Sequence, residues 1–138
     1  MKFDRRRRAN GFHITETESV IMEVLWKHSP LTAEQIAFEV SGPQGLTTAT
    51  AKSLTTKLLK KGVLSATPDG RRYLYRPAVK RADYVSAESR RLVDRLFGGR
   101  LAPFIRHFSQ TEGLAPQDFD DLKRLFQELD RRAQPGDA

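Results

Sequence analysis

The sequence has 138 residues, of which 38% are hydrophobic and 30% are charged, and its net charge is +7. This composition is typical of a globular protein, and no apolar stretch approaches the roughly 20 residues that a membrane-spanning helix requires. The absence of cysteine excludes disulfides, thiolate metal sites and thiol nucleophiles.

The first segment, residues 1–14, lacks periodicity and is predicted to be a flexible basic arm. It contains a run of four arginines, Arg5 to Arg8. Acidic residues follow this run instead of an apolar stretch, which argues against a signal peptide and favours a cytoplasmic protein. The arm suits two roles equally, contact with a DNA minor groove or simple solubilisation.

Two short helices are predicted next, each opened by a capping box. Thr15 with Glu18 begins a helix that ends near His28, and Thr32 with Gln35 begins a second helix. The second helix stops at a run of turn-forming residues, 41–45. A third helix is predicted from Thr48 to Lys61, with Gly62 as its C-terminal cap.

The period then changes from helical to alternating, which predicts a hairpin. We expect a strand over Val63 to Thr67, a turn at Pro68 to Gly70 and a returning strand over Arg71 to Arg76. Tyr73 and Tyr75 share one side of that strand, and we expect both to pack beneath it. Three helices followed by a basic hairpin form a winged helix-turn-helix, so residues 15–79 are predicted to be one domain.

Residues 80–138 are predicted to form a second, helical domain. Its helices cover Lys80 to Phe97, Leu101 to about Gln110, and Pro116 to about Arg132. The overall fold class is therefore mainly α with a small β-hairpin wing.

This second domain carries more apolar surface than three short helices can bury. Its apolar residues are Leu92, Leu96, Phe97, Leu101, Phe104, Ile105, Phe108, Phe119, Leu122, Leu125, Phe126 and Leu129. We favour a homodimer as the arrangement that covers them. The alternative is that they pack back on the first domain.

Positive charge is concentrated in the middle of the chain, where residues 40–81 hold nine basic residues and one acid. Such a segment suits either a polyanion partner or a solvated lysine-rich surface. The second helix of a helix-turn-helix enters the DNA major groove, and here it presents hydroxyls and lysines. The predicted DNA-binding residues are Thr48, Thr50, Lys52, Ser53, Thr56, Lys57, Lys60, Arg71 and Arg72. Lys60 and Lys61 equally suit the negative end of their own helix.

Several stretches of the chain form a specific pattern. They are Leu25-Trp26, Pro30 to Ile36, Thr50 to Gly62, Gly70 to Pro77, Glu88-Ser89 and Leu96 to Gly99. Together they resemble the penicillinase repressor family (BlaI/MecI/CopY type), bacterial winged-helix repressors that bind DNA as dimers. The resemblance covers about residues 14–130 and implies an operator with TACA/TGTA-like half-sites. It also implies that Thr50, Lys52, Ser53, Thr56 and Lys57 face the DNA.

Three features depart from the family pattern. Members that respond to β-lactams are cut by a membrane sensor protease at an Asn-Phe bond, and the corresponding pair here is His107-Phe108, so the resemblance leaves cleavage open. The copper-responsive branch uses cysteine pairs, which this chain lacks. The four-arginine arm is not part of the usual pattern.

The predicted function is therefore a sequence-specific, homodimeric transcriptional repressor that binds a near-palindromic double-stranded DNA operator. Two alternatives use the same basic face: a winged-helix interaction module for protein or RNA, and a regulator gated by a small molecule. We expect no enzyme, because phosphate loops and nucleophile motifs are absent. The three histidines lack ligand spacing, so we expect no metal, and nothing in the sequence indicates a cofactor.

Overall fold

A computed structural model describes residues 13–42 and 45–134, and in these ranges the chain is mainly helical with one two-stranded hairpin. The elements in chain order are α1 (Glu16–Lys27), α2 (Ala33–Ser41), α3 (Thr48–Lys61), β1 (Leu64–Asp69), β2 (Arg72–Pro77), α4 (Arg81–Phe97), α5 (Leu101–Thr111) and α6 (Pro116–Arg132). The predicted fold class, a winged helix-turn-helix followed by helices, is confirmed.

The predicted arm lies largely outside the described residues, including Arg5 to Arg8, as does the Pro43-Gln44 part of the turn after α2. The end of the arm was placed too late, because Ile14 is buried in the core with 5% of its surface exposed. An isoleucine next to a helix cap gains roughly 1.5–3 kcal/mol from such burial, which holds that part of the chain in the fold.

Helices α1 and α2 begin at capping boxes, as predicted. The Thr15 hydroxyl accepts a hydrogen bond from the Glu18 N–H at 3.1 Å, and the Glu18 carboxylate accepts one from the Thr15 N–H at 2.9 Å. Thr32 and Gln35 form the same reciprocal pair in α2. Each box satisfies two N–H groups that a helix start otherwise leaves without partners, so the boundary follows from a four-residue pattern.

Helix α3 has the predicted bounds. The Thr47 hydroxyl caps its start by accepting from the Thr50 N–H at 3.1 Å. Gly62 ends it with φ of 81°, and the Gly62 N–H donates to the carbonyls of Leu58 and Leu59. Glycine adopts this left-handed conformation at little cost, so Gly62 stops the helix cleanly.

The wing turns two residues later than predicted. The strands pair from Leu64 opposite Pro77 to Asp69 opposite Arg72, which leaves Gly70 and Arg71 as the turn. Gly70 has φ of 65° and Arg71 a negative φ, as in the type II′ turn that joins two antiparallel strands.

Pro68 lies inside β1, opposite Tyr73, instead of in the turn. Leu31 pairs with Tyr75 through two backbone hydrogen bonds of 2.8 and 3.2 Å. Strand β2 is therefore central and β1 is an edge strand. An edge strand tolerates proline, because its outer N–H positions need no partner.

The core of the first part of the chain lies between the first three helices and the hairpin. Its buried apolar residues are Ile14, Ile21, Met22, Leu25, Ile36, Ala37, Val40, Ala51, Leu58, Val63 and Leu64. This core holds the back of α3 and leaves the opposite side of that helix exposed.

The chain divides into two compact units, Met1–Ser89 and Arg90–Ala138, and the division falls inside α4. The predicted domain boundary is at 79/80. The start of α4 belongs to the first unit because Trp26 holds it: the Trp26 indole N–H donates to the Val79 carbonyl at 3.0 Å, and its ring contacts that of Tyr84 at 5.3 Å. Arg81 also pairs with Glu23 at 3.1 Å.

Candidate nucleic-acid interface

One side of α3 is buried and the opposite side is open. Ala51, Thr55 and Leu58 are buried, and the Thr55 hydroxyl donates to the Ala51 carbonyl at 2.8 Å. All nine predicted DNA-binding side chains are exposed: Thr48, Thr50, Lys52, Ser53, Thr56, Lys57, Lys60, Arg71 and Arg72. The seven predicted residues on α3 therefore lie on the exposed side of that helix. Arg71 and Arg72 lie at the tip of the wing.

The lysines on this surface are free of acidic partners. Lys52, Lys57 and Lys60 make no ion pair within the described part of the chain, and neither does Arg71. Arg72 contacts Asp69 at 3.4 Å, but both side chains are at least half exposed. An exposed pair of this kind contributes little, so Arg72 remains available to a phosphate.

Lys61 lies in the last turn of α3, where it suits the negative end of the helix as expected, and its side chain is also held by two contacts outside that helix. Its ammonium donates to the Glu18 carboxylate at 2.6 Å and to the His13 carbonyl at 2.7 Å. This contact attaches the end of α3 to the start of α1. The Glu18 side chain is 2% exposed, and its Oε2 atom has no hydrogen-bond partner in the described structure.

The pKa of Glu18 reflects these surroundings. Burial of the carboxyl raises its pKa, but the hydrogen bonds from Lys61 and Thr15, together with the charge of Lys61, outweigh burial and hold the pKa below its ordinary value. Glu18 is therefore a carboxylate at neutral pH and fixes the orientation of α3 electrostatically.

The two wing tyrosines differ in surroundings, although we expected both to pack beneath the strand. Tyr75 packs against the core and pairs with Leu31. Tyr73, the second residue of β2, is 54% exposed. The core ends before the tip of the hairpin, so Tyr73 is left exposed near the turn.

Sequence reasoning missed Ala49, which is exposed near the start of α3. The signal was available in the helical spacing, because Ala49, Ser53, Thr56 and Lys60 recur at intervals of four, three and four residues. Such a series lies along one line of a helix. An alanine has no polar group that would mark it as a base contact.

The predicted dimerisation residues lie on α4, α5 and α6. None of them is buried in the described chain: eight are exposed (Leu92, Leu96, Leu101, Phe108, Phe119, Leu125, Phe126 and Leu129), and four are half-buried (Phe97, Phe104, Ile105 and Leu122). The rings of Phe97 and Phe104 meet edge to face at 5.2 Å, and Phe97 lies 6.2 Å from His107. Helices α5 and α6 contain no buried residue at all.

The described residues contain no cluster of three or more potential metal ligands. Within the same ranges, every helix is too short or too polar to cross a bilayer. The His107-Phe108 pair lies within α5, and both of its side chains are exposed.

Comparison with known proteins identifies the family. The penicillinase repressor family model matches residues 14–128. The penicillinase repressor of Bacillus licheniformis is 26% identical over 119 residues, covering 86% of this chain and 93% of that protein. The methicillin resistance regulatory protein MecI of Staphylococcus aureus strain N315 is 21% identical over 115 residues, covering 83% of this chain and 94% of that protein.

Among solved structures, one similar chain is the monomeric form of Bacillus licheniformis BlaI in complex with the blaP half-operator. It is 30% identical, covers 53% of this chain and 89% of its own, and superposes with a TM-score of 0.48. The family match spans most of the chain, including both the winged helix-turn-helix and the helices that follow it. The chain therefore belongs to the penicillinase repressor family and is a winged-helix transcriptional repressor.

Proposed function

We propose that this repressor binds a near-palindromic double-stranded DNA operator as a homodimer. Helix α3 enters the major groove and the wing contacts the adjacent backbone. The observation that carries the proposal is the composition of the open side of α3, which presents alanine, hydroxyls and unpaired lysines but no acid and no aromatic side chain.

Small side chains allow a helix to approach base edges closely. The line of α3 opposite the core holds Ala49, Ser53 and Thr56, with Lys52 and Lys57 on either side of it. Lysine ammonium groups bind phosphates or guanine acceptors, and the shorter side chains meet the bases. The arrangement thus separates affinity, supplied by the flanking lysines, from discrimination, supplied by the central line.

The start of α3 adds a second attraction for phosphate. Helices α1 and α2 carry glutamates in their first turns, whereas the fully described α3 has no acidic residue there. The positive end of the α3 dipole is therefore not neutralised by its own sequence, and it lies beside the exposed Thr48 and Thr50. A nearby DNA phosphate would be stabilised at this end.

The wing supports the same function. Arg71 and Arg72 lie at or next to the turn, and the exposed Tyr73 follows them. Guanidinium groups on a hairpin tip suit the phosphates or the minor groove beside the helix-contacted site. Aromatic side chains that would mark a protein-binding α3 are missing from its exposed side, which favours DNA over the interaction-module alternative.

The exposed apolar surface of α4 to α6 supports a second copy as its partner. A unit in which α5 and α6 bury nothing lacks the core that a stable domain requires. Burial of each leucine or phenylalanine contributes roughly 1.5–3 kcal/mol. A twofold interface buries the same residue in both copies, so each residue contributes in both chains. Two α3 helices related by a twofold axis read two half-sites about one helical turn apart. The protein acts by binding rather than catalysis and works in the cytoplasm, where chromosomal DNA lies.

Selection of binding sites from a random duplex pool, at two salt concentrations, tests this function. We expect enrichment of a dyad, with affinity that falls steeply as salt rises because each phosphate contact releases counterions. Tight binding without an enriched sequence would contradict operator recognition, and no binding to any duplex would contradict the DNA-binding function itself.

A further inference from the structure

The four side chains on the line of α3 opposite its core have different chemistry at each turn. Ala49 offers only a methyl group, Ser53 a hydroxyl, Thr56 a methyl and a hydroxyl, and Lys60 an ammonium. At about 100° per residue these positions lie within about 60° of one another around the helix. Lys52 and Lys57 fall on opposite flanks of the line.

The two hydroxyls on this line are not equally available. The Thr56 hydroxyl donates to the Lys52 carbonyl at 3.1 Å, within its own helix. The Ser53 hydroxyl makes no hydrogen bond within the described part of the chain, and the side chain is exposed. Ser53 can therefore donate to a base, whereas Thr56 has already committed its proton to the backbone.

This backbone bond determines which part of Thr56 faces a ligand. When the threonine Oγ1 turns towards the carbonyl four residues earlier, Cγ2 occupies a staggered position away from that carbonyl. Thr56 therefore presents its methyl group, as Ala49 does two turns earlier. In the major groove, the complementary apolar feature is the C5 methyl of thymine.

From this geometry we propose that α3 reads thymine methyl groups with Ala49 and Thr56, and that Ser53 supplies a hydrogen bond to a base edge between them. This inference rests on the proposed DNA-binding function and specifies its recognition chemistry. Ala49 and Thr56 are seven residues apart, about 10.5 Å along the helix. The two methyl contacts therefore fall on different base pairs of one half-site.

Replacement of single thymines by deoxyuridine tests the proposal, because it removes the methyl group and leaves base pairing unchanged. With the site obtained by selection, the wild-type protein should lose about three- to fivefold in affinity at each contacted thymine, the effect of about one buried methyl group. Two such positions, on different base pairs, should appear in each half-site.

Protein variants assign each methyl contact to a residue. Thr56→Val keeps the methyl group and should retain both affinity and sensitivity to deoxyuridine. Thr56→Ser removes the methyl group and should bind several-fold more weakly, with sensitivity lost at one thymine, and Ala49→Gly should do the same at the other. Thr111→Ser is the matched control, because the Thr111 hydroxyl also donates to a carbonyl of its own helix, at 2.8 Å from His107, but lies outside α3.

Two outcomes would overturn the methyl-reading inference while leaving DNA binding intact. One is a wild-type protein whose affinity for the selected site is unchanged by deoxyuridine at every thymine. The other is a Thr56→Val variant that loses discrimination while Thr56→Ser retains it, which would assign recognition to the hydroxyl. The deoxyuridine series on the wild-type protein requires no variant to fold. Failure to enrich any site in the selection would instead count against the proposed function.

Discussion

Glu18 connects two helices through a single carboxylate. It belongs to the capping box of α1 and also accepts from Lys61 at the end of α3. The sequence predicted the capping role, because that role depends on residues three positions apart. The contact with Lys61, 43 residues away, has no local signal and emerges only once the fold brings α1 and α3 together.

Removing the charge of Glu18 should destabilise the DNA-binding unit. We expect Glu18→Gln to lower the free energy of unfolding at pH 7 by about 1–3 kcal/mol, because it removes a charged hydrogen bond at a buried position. Glu16→Gln is the matched control: it changes the same charge in the same first turn at an exposed site, and should shift stability by no more than about 0.5 kcal/mol. Urea unfolding measures both.

The same pair predicts a pH dependence. The pKa of Glu18 is lowered in the folded protein, so its stabilising contribution is present above its unfolded pKa of about 4.3 and is lost as pH falls through the lower folded value. The stability difference between wild type and Glu18→Gln should therefore begin to shrink as the pH falls below the unfolded pKa, and should disappear only below the lower folded value. A difference that stays constant down to acidic pH would show that the Glu18 charge is not responsible.

Lys57 tests the division of roles on the surface of α3. It is exposed, without an ion pair in the described chain, and flanks the central line. Lys57→Ala should weaken binding to the selected operator and to random duplex alike and reduce the salt slope by about one for each half-site. Lys123→Ala removes the same charge from α6, which carries no predicted DNA-binding residue, and should change neither quantity. A loss confined to the operator would assign Lys57 to base recognition instead.

At the scale of elements, boundaries set by local chemistry were predictable and those set by packing were not. The limits of α3 follow from a threonine cap and Gly62, which are visible in four or five residues. The wing turn was misplaced because Pro68 signals a turn locally, whereas the pairing of β2 with Leu31 makes β1 an edge strand that accepts proline. Ile14 was assigned to the arm because a single apolar residue has no periodicity.

The same distinction applies to the candidate interface. Helical spacing indicated which side of α3 is open, and all seven of its predicted DNA-binding residues are exposed. Three features of this surface depend on rotamers or on contacts distant in sequence. They are the hydrogen bond of the Thr56 hydroxyl, the contacts that hold Lys61 and the exposure of Tyr73. Pattern alone identified the surface but not the chemistry of each group on it.

The end of α3 offers a test of backbone conformation. Gly62 has φ of 81° and ψ of 10°, a left-handed conformation that asparagine tolerates better than alanine does. Gly62→Ala should therefore lower stability by about 1 kcal/mol, and Gly62→Asn by less. Thermal unfolding of the two variants compares them directly. A loss for Gly62→Asn that equals or exceeds the loss for Gly62→Ala would contradict backbone strain as the main cause.

For the whole molecule, the decisive feature is the apolar surface of α4 to α6. In α6, Leu125 is 46% exposed, and Phe126 and Leu129 are each 48% exposed. We expect Leu125→Asp to convert the dimer into monomers, since it places a charge in an interface that requires apolar contact. Gln127→Asp, an exposed polar position on the same helix, should leave the dimer intact. Sedimentation equilibrium measures the oligomeric state.

A milder variant keeps the dimer test informative if Leu125→Asp fails to fold. Leu125→Ala should retain helical circular dichroism. Its dimer should be weaker, so it should dissociate at a higher protein concentration than the wild-type dimer does. A wild-type protein that sediments as a monomer at micromolar concentration would contradict the homodimer. In that case the apolar surface would have to be covered by another partner or by the first unit.

The central claim is that two copies of this repressor recognise one dyad operator. The most direct measurement is an equilibrium titration of the selected duplex, compared with a duplex of equal length in which one half-site is scrambled. We predict two chains bound per intact operator and a more than tenfold weaker affinity for the scrambled one, because one α3 helix loses its bases. One chain per duplex, with equal affinity for both DNAs, would contradict the account.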